Sequence, residues 1–417
     1  MFQYPAMMVP ELQKQVIIAI LYAHPEVTTF ADPFLGSGTI LALAMLNGRA
    51  FVGQDINPLS ILIAKARAFS LDDVSLTKAL DRVKYAAAAD HSRAYAVSFD
   101  RQQKWFTAQA SVGLSRLRNA IRRESKLTTR RFLWVCLAET VRLNSNSRTS
   151  TYKLHVKPEE QRNATISDVF ESFSLIASEN IKVVKEFSSA LHSAGHLDEK
   201  GNYNLPVLIS YGDSAVRFPS KGRRTKAIAE LVITSPPYGD NRTTVPYGQA
   251  AWLPLQWIDF EDIDRSISVD SIRTAYQIDN SSLGGVRARD LSKRRKIVAA
   301  QSVSAAAYAT ALAAISKDGL SRFVNFIYDF RRALRNVARS CTDTGHIVIT
   351  LGDRNIGGIV CPLSRISSEL FTTFDVQHVT EIERRIPSKR MPGKNSHSAT
   401  ITRENVSIFR KRKSTDS

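Results

Sequence analysis

The alternation of hydrophobic and polar positions changes twice along the chain. In residues 1–70, segments with helical apolar spacing (10–23, 38–46 and 58–69) alternate with short apolar runs at 28–31 and 50–54. Strands alternating with helices predict a parallel sheet with crossover helices. The same alternation returns after residue 204, where a long helical stretch is predicted over 305–340. Further strands are predicted at 205–210, 230–234, 345–351, 374–385 and 400–411.

The stretch between these two parts has a different pattern. Its segments are long, charged and mostly helical, and a polar, basic loop at 144–157 interrupts them. The sequence therefore predicts three parts: a first part of an α/β domain (1–70), a helical basic insertion (71–204) and a second part of the same domain (205–417).

The charge balance points to a polyanionic partner. The chain has 57 Lys and Arg against 39 Asp and Glu, a net charge of +18, and such an excess favours nucleic acid. Residues 101–165 hold 14 basic against 4 acidic residues. A second basic segment, 284–296, lies within a basic region near 265–304, so two segments compete as DNA-contacting elements.

Other function classes are disfavoured by what the sequence lacks. The three cysteines, Cys136, Cys341 and Cys361, form no CxxC pair, and no His cluster has metal-ligand spacing, so we expect buried thiols and no metal. No signal sequence and no apolar run of membrane-spanning length occurs. We expect a cytoplasmic protein without a membrane partner.

The sharpest cofactor signal is the segment ADPFLGSGT at 31–39. Gly36 and Gly38 permit a positive φ between a strand and a helix N-terminus, and Asp55 ends the next strand, where a carboxylate can accept ribose hydroxyls. A dinucleotide fingerprint would require a third glycine in place of Leu41. Asp32 would repel a phosphate but suits a ligand with an ammonium group, such as the methionine end of S-adenosylmethionine.

Four segments resemble motifs of the amino-group DNA methyltransferases. DPFLGSGT resembles their motif I, FVGQDINP (51–58) motif II, YPAMMVPEL (4–12) motif X, and LISYGDSAV (208–216) motif III. The resemblance implies an S-adenosylmethionine site formed by Tyr4, Pro5, Asp32, Pro33, Phe34, Gly36, Gly38, Thr39, Asp55, Ile56 and Asp213.

The segment AELVITSPPYGDNRTTVPYG (229–248) carries the candidate catalytic residues Ser235, Pro236, Pro237 and Tyr238. It resembles motif IV of the same family, in which the hydroxyl and a proline carbonyl accept hydrogen bonds from an exocyclic amine and the tyrosine stacks on an extruded base. Serine at the first position is typical of N4-cytosine enzymes, and N6-adenine stays open. C5-cytosine chemistry is disfavoured because no cysteine follows a proline.

The resemblance implies a Rossmann-like class I methyltransferase fold, α/β with a mostly parallel seven-stranded sheet and an antiparallel final strand. It also implies sequence-specific methylation of cytosine N4 in double-stranded DNA within a restriction-modification system, with a cognate restriction endonuclease as a candidate partner. The alternatives are an N6-adenine DNA methyltransferase, an RNA amino-group methyltransferase, a glutamine-modifying protein methyltransferase and a non-catalytic DNA-binding module.

The candidate DNA contacts are basic residues of the insertion, of the segment after the catalytic strand, and of the second basic segment. Lys and Arg bind phosphates, and Arg also reads guanine edges. They are Arg122, Arg123, Arg130, Arg131, Arg148, Lys153, Arg242, Arg287 and Arg289.

Overall fold

The computed structural model describes most of the chain. The described residues are 4–5, 8–162, 168–218, 227–241, 243–352, 354–356, 358–385, 394–395, 398–399 and 403–413. Within them no helix is both long and apolar enough to cross a membrane. No group of three or more His, Cys, Asp or Glu side chains is placed there to hold a metal ion.

Sixteen α-helices and one 3₁₀ helix, Val269–Ile272, form in the described ranges. The α-helices are α1 (Pro10–Ala23), α2 (Thr39–Leu46), α3 (Pro58–Phe69), α4 (Asp73–Ala89), α5 (Gln102–Trp105), α6 (Ala108–Arg122), α7 (Leu127–Leu143), α8 (Glu159–Arg162), α9 (Val169–Ser193), α10 (Tyr247–Leu255), α11 (Phe260–Ile263), α12 (Gln277–Ser281), α13 (Leu291–Ala299), α14 (Val303–Ile315), α15 (Lys317–Ser340) and α16 (Leu363–Thr372).

The described strands form one large sheet and two short hairpin-like pairs. They are β1 (Thr29–Asp32), β2 (Ala50–Asp55), β3 (Val207–Tyr211), β4 (Ala229–Thr234), β5 (Cys341–Gly352), β6 (Arg354–Ile356), β7 (Ile359–Cys361), β8 (Val376–Arg385), β9 (Lys394–Asn395), β10 (Ser398–Ala399) and β11 (Arg403–Lys411).

The large sheet has seven strands in the order β3-β2-β1-β4-β5-β11-β8. The first five strands are parallel to one another, and β11 runs antiparallel between β5 and β8. The chain order reverses at β1, which lies between β2 and β4, and open α/β sheets bind ligands outside the strand carboxyl ends at such a point. The Rossmann-like class I methyltransferase fold with an antiparallel final strand is thereby confirmed.

Two hydrophobic clusters cover the two faces of this sheet. Neighbouring residues of a strand point to opposite faces, and Val232 and Ile233 of β4 accordingly belong to different clusters. Helices α14, α15 and α16 pack in one cluster. The insertion helices α4, α6, α7 and α9 share the other cluster with α3, so the insertion is continuous with the core of the sheet.

The helical stretch predicted over 305–340 is confirmed, and the structure divides it into two helices, α14 and α15. Ser316 is extended, with φ −156° and ψ 103°, and its Oγ accepts the Gly319 N–H at 2.9 Å, so it caps α15. A serine whose side chain bonds the third following N–H is a common helix start. The sequence carried this signal, and the uninterrupted apolar periodicity obscured it.

Candidate active site

The glycine loop joins β1 to α2 at the switch point of the sheet. Gly36 has φ +51° and Gly38, which precedes the first residue of α2, has φ +74°. Both values lie in the left-handed region that favours glycine. The positive φ expected at the two glycines is confirmed.

Asp55, at the end of β2, organises this loop. Its Oδ2 accepts the Gly36 N–H at 2.8 Å and the Ser60 hydroxyl at 3.0 Å, and its Oδ1 accepts the Asn57 N–H at 2.8 Å. Burial raises the pKa of Asp55, and the hydrogen bonds from Asn57 and Gly36 partly oppose this. The carboxylate therefore holds the loop backbone while it also lines the cleft below.

An aromatic wall from the N-terminal segment closes one side of the loop. The Tyr4 ring stacks on Tyr247, with centroids 5.8 Å apart, and its hydroxyl accepts the Asn57 side-chain N–H at 3.2 Å. A Cβ atom on Gly36 would lie 3.6 Å from the Tyr4 ring, so the ring lies directly against the loop. Pro5 is buried but does not line the cleft.

The motif III candidate, in the turn after β3, also borders the cleft. Asp213 lines the cleft, and its Oδ1 accepts the Ala215 N–H at 2.8 Å. Burial raises its pKa. The adjacent Ser214 donates its hydroxyl proton to the Pro33 carbonyl, which joins this turn to the glycine loop.

The Ser-Pro-Pro-Tyr turn follows β4 beside the glycine loop. Strands β1 and β4 are parallel neighbours, so their carboxyl ends meet at one edge of the sheet. Thr234, the last residue of β4, donates its hydroxyl proton to Asp32 Oδ1 at 2.7 Å. Two turns about two hundred residues apart in sequence are thus joined by a hydrogen bond.

Asp32 is fully buried beneath the loop and does not line the cleft. Its Oδ1 also accepts the Phe34 N–H at 3.0 Å, whereas Oδ2 has no hydrogen-bond partner among the described residues. Burial raises the pKa of Asp32 to about 7, and the bonds from Thr234 and Phe34 oppose the rise. Ligand binding by Asp32 stays a prediction.

A single open cleft of about 790 Å³, open solvent included, lies between these elements. Ten of the candidate residues line it: Tyr4, Pro33, Phe34, Gly36, Thr39, Asp55, Ile56, Asp213, Ser235 and Pro237. Pro5, Asp32, Gly38, Pro236 and Tyr238 do not line it. Sequence reasoning did not assign Leu35, Ser37, Asn57, Gly212, Ser214, Tyr247, Ile278, Ser282 or Leu283, which do.

Part of the missed lining lacks any local signal. Ile278, Ser282 and Leu283 come from α12 and the residues after it, and no motif marks them. Asp279 of α12 fixes the position of this segment. It is fully buried and accepts the Gly248 N–H at 2.8 Å at the start of α10. Asn241, which follows the catalytic turn, also lines the cleft, and its buried Oδ1 has no partner among the described residues.

A buried ion pair holds the segment after the Ser-Pro-Pro-Tyr turn. Arg354 Nη2 lies 3.0 Å from Asp240 Oδ2 and also donates to Thr243 Oγ1. Thr243 in turn donates to Asp240 Oδ2 at 2.7 Å. Both charged side chains are less than one tenth exposed. Arg354, which follows β5 closely, therefore fixes the backbone after the Ser-Pro-Pro-Tyr turn.

Several insertion arginines are engaged within the protein. Arg130 forms two hydrogen bonds of 2.8 Å with the Asp262 carboxylate, Arg131 donates to the Asp262 carbonyl at 2.7 Å, and Arg122 pairs with Asp259 at 2.9 Å. Burial acts to raise the pKa of Asp262, but the hydrogen bonds from Arg130 and Trp134 outweigh it and the pKa is lowered. These arginines join the insertion to the segment after the catalytic strand.

The other candidate DNA contacts are on the surface or outside the described residues. Arg123, Arg148 and Arg289 are exposed, Lys153 is half-buried, and Arg287 is exposed and pairs with Asp318 at 2.7 Å. Arg242 lies outside the described residues. DNA binding by any of these residues, and by the three engaged arginines, stays a prediction.

The strand order is that of the class I methyltransferase fold, and residues of the glycine loop and of the Ser-Pro-Pro-Tyr turn line one cleft at its switch point. The chain is similar to the Type II methyltransferase M.MvaI of Kocuria varians, with 28% identity over 98% of this chain and 89% of that protein. No protein family model matches the chain.

Two solved structures also show a distant similarity to the chain. One is a candidate DNA modification methylase from Thermus thermophilus, 22% identical over 22% of this chain and 39% of that chain, with a TM-score of 0.18. The other is the rRNA methyltransferase AviRa of Streptomyces viridochromogenes, 12% identical over 98% and 88%, with a TM-score of 0.33. Neither superposition is close, so the fold rests on the strand order.

Proposed function

We propose that this protein transfers a methyl group from S-adenosylmethionine to N4 of cytosine at a specific sequence of double-stranded DNA, as part of a restriction-modification system. The observation that carries the proposal is the shared cleft: Ser235 lines the same cleft as Gly36 and Asp55. A nucleophile held at the serine would lie next to a ligand of the glycine loop.

The charge of the cleft suits S-adenosylmethionine. Its described lining contains two carboxylates, Asp55 and Asp213, and no Lys, Arg or His, although the whole chain carries +18. An anionic wall disfavours phosphates and favours a ligand with sulfonium and ammonium charges. When bound, this cofactor supplies an electrophilic methyl group.

An exocyclic amine is a weak nucleophile because its lone pair is delocalised into the ring. The residues of the turn can counteract this delocalisation. Ser235 Oγ and the Pro236 carbonyl accept hydrogen bonds from the amine and turn its lone pair towards the methyl carbon. The N–C bond forms as the C–S bond breaks, and the amine then loses a proton to solvent. Catalysis therefore depends on positioning and electrostatic stabilisation.

Cytosine is favoured over adenine by the serine that opens the turn. A nucleic acid is favoured over protein by the net charge, and DNA is favoured over RNA by the motif resemblance and by the similarity to a Type II methyltransferase. A restriction-modification role predicts that DNA methylated by this protein resists one sequence-specific endonuclease. Loss of that resistance with Ser235→Ala would tie protection to the proposed site.

The test is transfer of labelled methyl groups to DNA, RNA and protein substrates, followed by nucleoside analysis of the labelled DNA. We expect N4-methyldeoxycytidine in one sequence context, and no label with Ser235→Ala. N6-methyldeoxyadenosine instead would refute the choice of base, and label in RNA or protein would refute the choice of DNA. DNA binding without transfer to any substrate would indicate the non-catalytic alternative.

DNA binding by the second basic segment predicts a steep salt dependence of affinity. Arg287→Gln with Arg289→Gln should reduce the slope of log affinity against log salt by about 0.9 for each phosphate that is no longer neutralised. Lys200→Gln, an exposed change outside both basic segments, is the control and should leave the slope unchanged. An unchanged slope in the double variant would remove this segment from the interface.

A further inference from the structure

A chain of polar side chains leads away from the proposed catalytic serine. Ser235 Oγ and Tyr238 Oη are 3.2 Å apart, and Tyr238 Oη donates to Glu404 Oε1 at 3.4 Å. Glu404 Oε2 accepts from Arg384 Nη1 at 3.3 Å. Glu404 of β11 and Arg384 of β8 are directly opposite each other in the sheet. The antiparallel end of the sheet therefore reaches the catalytic turn, 166 residues away in sequence from Glu404.

The donors and acceptors of this chain fix its direction. A carboxylate only accepts hydrogen bonds, so the bond between Tyr238 and Glu404 uses the single phenol proton. Burial raises the pKa of Tyr238 and the Glu404 charge raises it further, so the phenol keeps that proton. Tyr238 Oη can then only accept from Ser235, and the single proton of the serine points towards the tyrosine.

This direction matters because the proposed reaction requires serine as an acceptor. With its proton turned towards Tyr238, Ser235 Oγ presents only lone pairs to an incoming amine N–H. With the proton turned the other way, serine would donate towards the amine lone pair that must attack the methyl group. A serine, unlike an aspartate at that position, needs this external orientation.

We propose that Glu404 is a positioning residue that acts through the Tyr238 hydroxyl to orient Ser235 as a hydrogen-bond acceptor for the target amine. The inference rests on the proposed function and deepens it. Arg384 holds the Glu404 carboxylate in place. The Arg384 side chain is 29% exposed and the Glu404 side chain 19% exposed. The strands β8 and β11 thereby take part in the chemistry of a turn that follows β4.

The test is a double-mutant cycle with Tyr238→Phe and Glu404→Gln, in steady-state methyl transfer to DNA. Each single change should lower kcat about fivefold to tenfold, the effect of one modest hydrogen bond, with KM for DNA and affinity for S-adenosylmethionine within about twofold. Since Glu404 acts only through the hydroxyl, the double variant should be no slower than Tyr238→Phe alone.

A matched control is Glu383→Gln on the neighbouring strand, where Glu383 pairs with Arg403 at 3.4 Å and both side chains are half exposed. It should leave kcat unchanged. Wild-type kcat in Glu404→Gln would overturn the inference. It would also be overturned if Glu404→Gln lowered kcat by the same factor in Tyr238→Phe as in the wild type, since this would indicate a structural role. A wild-type protein that methylates no nucleic acid would refute the proposed function and this inference with it.

Discussion

Replacing Asp32 by Asn should stabilise the protein at neutral and alkaline pH. Burial raises the pKa of Asp32 from the usual 3.8 to about 7. In the unfolded chain the group loses its proton near pH 4, whereas the folded protein retains the proton up to about pH 7. The folded state therefore binds more protons in this window, and its free energy of unfolding falls as the pH rises from 4 to 7.

The size of this effect follows from the two pKa values. At 1.36 kcal/mol for each pKa unit, the charged carboxylate lowers the stability above pH 7 by at most about 4 kcal/mol. Asparagine keeps an acceptor for the Thr234 hydroxyl and the Phe34 N–H. Its amide N–H₂ takes the place of the unpartnered Oδ2 at a cost of about 1–2 kcal/mol. The net gain above pH 7 is about 2 kcal/mol.

The assay is urea unfolding of wild type and Asp32→Asn at several pH values from 4.5 to 8.5. The gain in the free energy of unfolding should grow with pH and level off above pH 7. Asp72→Asn is the control: Asp72 caps α4 through the Ser75 N–H at 2.9 Å, with a lowered pKa, and asparagine should give no gain. A variant less stable than wild type at pH 8.5, with an unchanged pH slope, would refute the reasoning.

Three further perturbations test other parts of the site. Gly38→Ala should cost about 1–2 kcal/mol of stability, since φ is +74° while a Cβ atom would meet only ordinary contacts; no loss in urea unfolding would contradict this. Asp55→Ala should weaken S-adenosylmethionine binding in calorimetry, and unchanged affinity would remove Asp55 from the site. Asp262→Ala leaves Arg130 and the buried Trp134 N–H, bonded to Asp262 at 2.7 Å, without their acceptor. It should cost about 3–5 kcal/mol, whereas wild-type stability would show that the insertion is held by its apolar face alone.

Sequence reasoning was most successful where the signal is local. The helices Pro10–Ala23 and Pro58–Phe69 begin and end where the pattern predicts, since each has a proline at its first position and a clear apolar face. The glycine loop was recognised because a positive φ and a close approach require glycine there. The antiparallel pair of final strands is confirmed as β8 and β11.

Sequence reasoning was least informative for charged side chains that could pair with any of several partners. Arg130 and Arg131 were expected on a DNA surface, and in the structure both bond to Asp262, more than 130 residues later. Arg354 carries no motif, and only its pairing with Asp240 shows that it supports the catalytic turn. Composition gives the number of such charges but does not show which residues pair with each other.

The sequence alone determined the elements, the chain order of the motifs and the identity of the groups that can bind or react, because helix and strand preferences and glycine conformations depend on near neighbours. Tertiary structure alone decided which of those groups meet. The hydrogen bond from Thr234 to Asp32 and the chain from Ser235 to Glu404 exist because β4 lies beside β1 and β11 beside β5. That strand order is set by the packing of two hydrophobic faces over the whole chain, and no local segment encodes it.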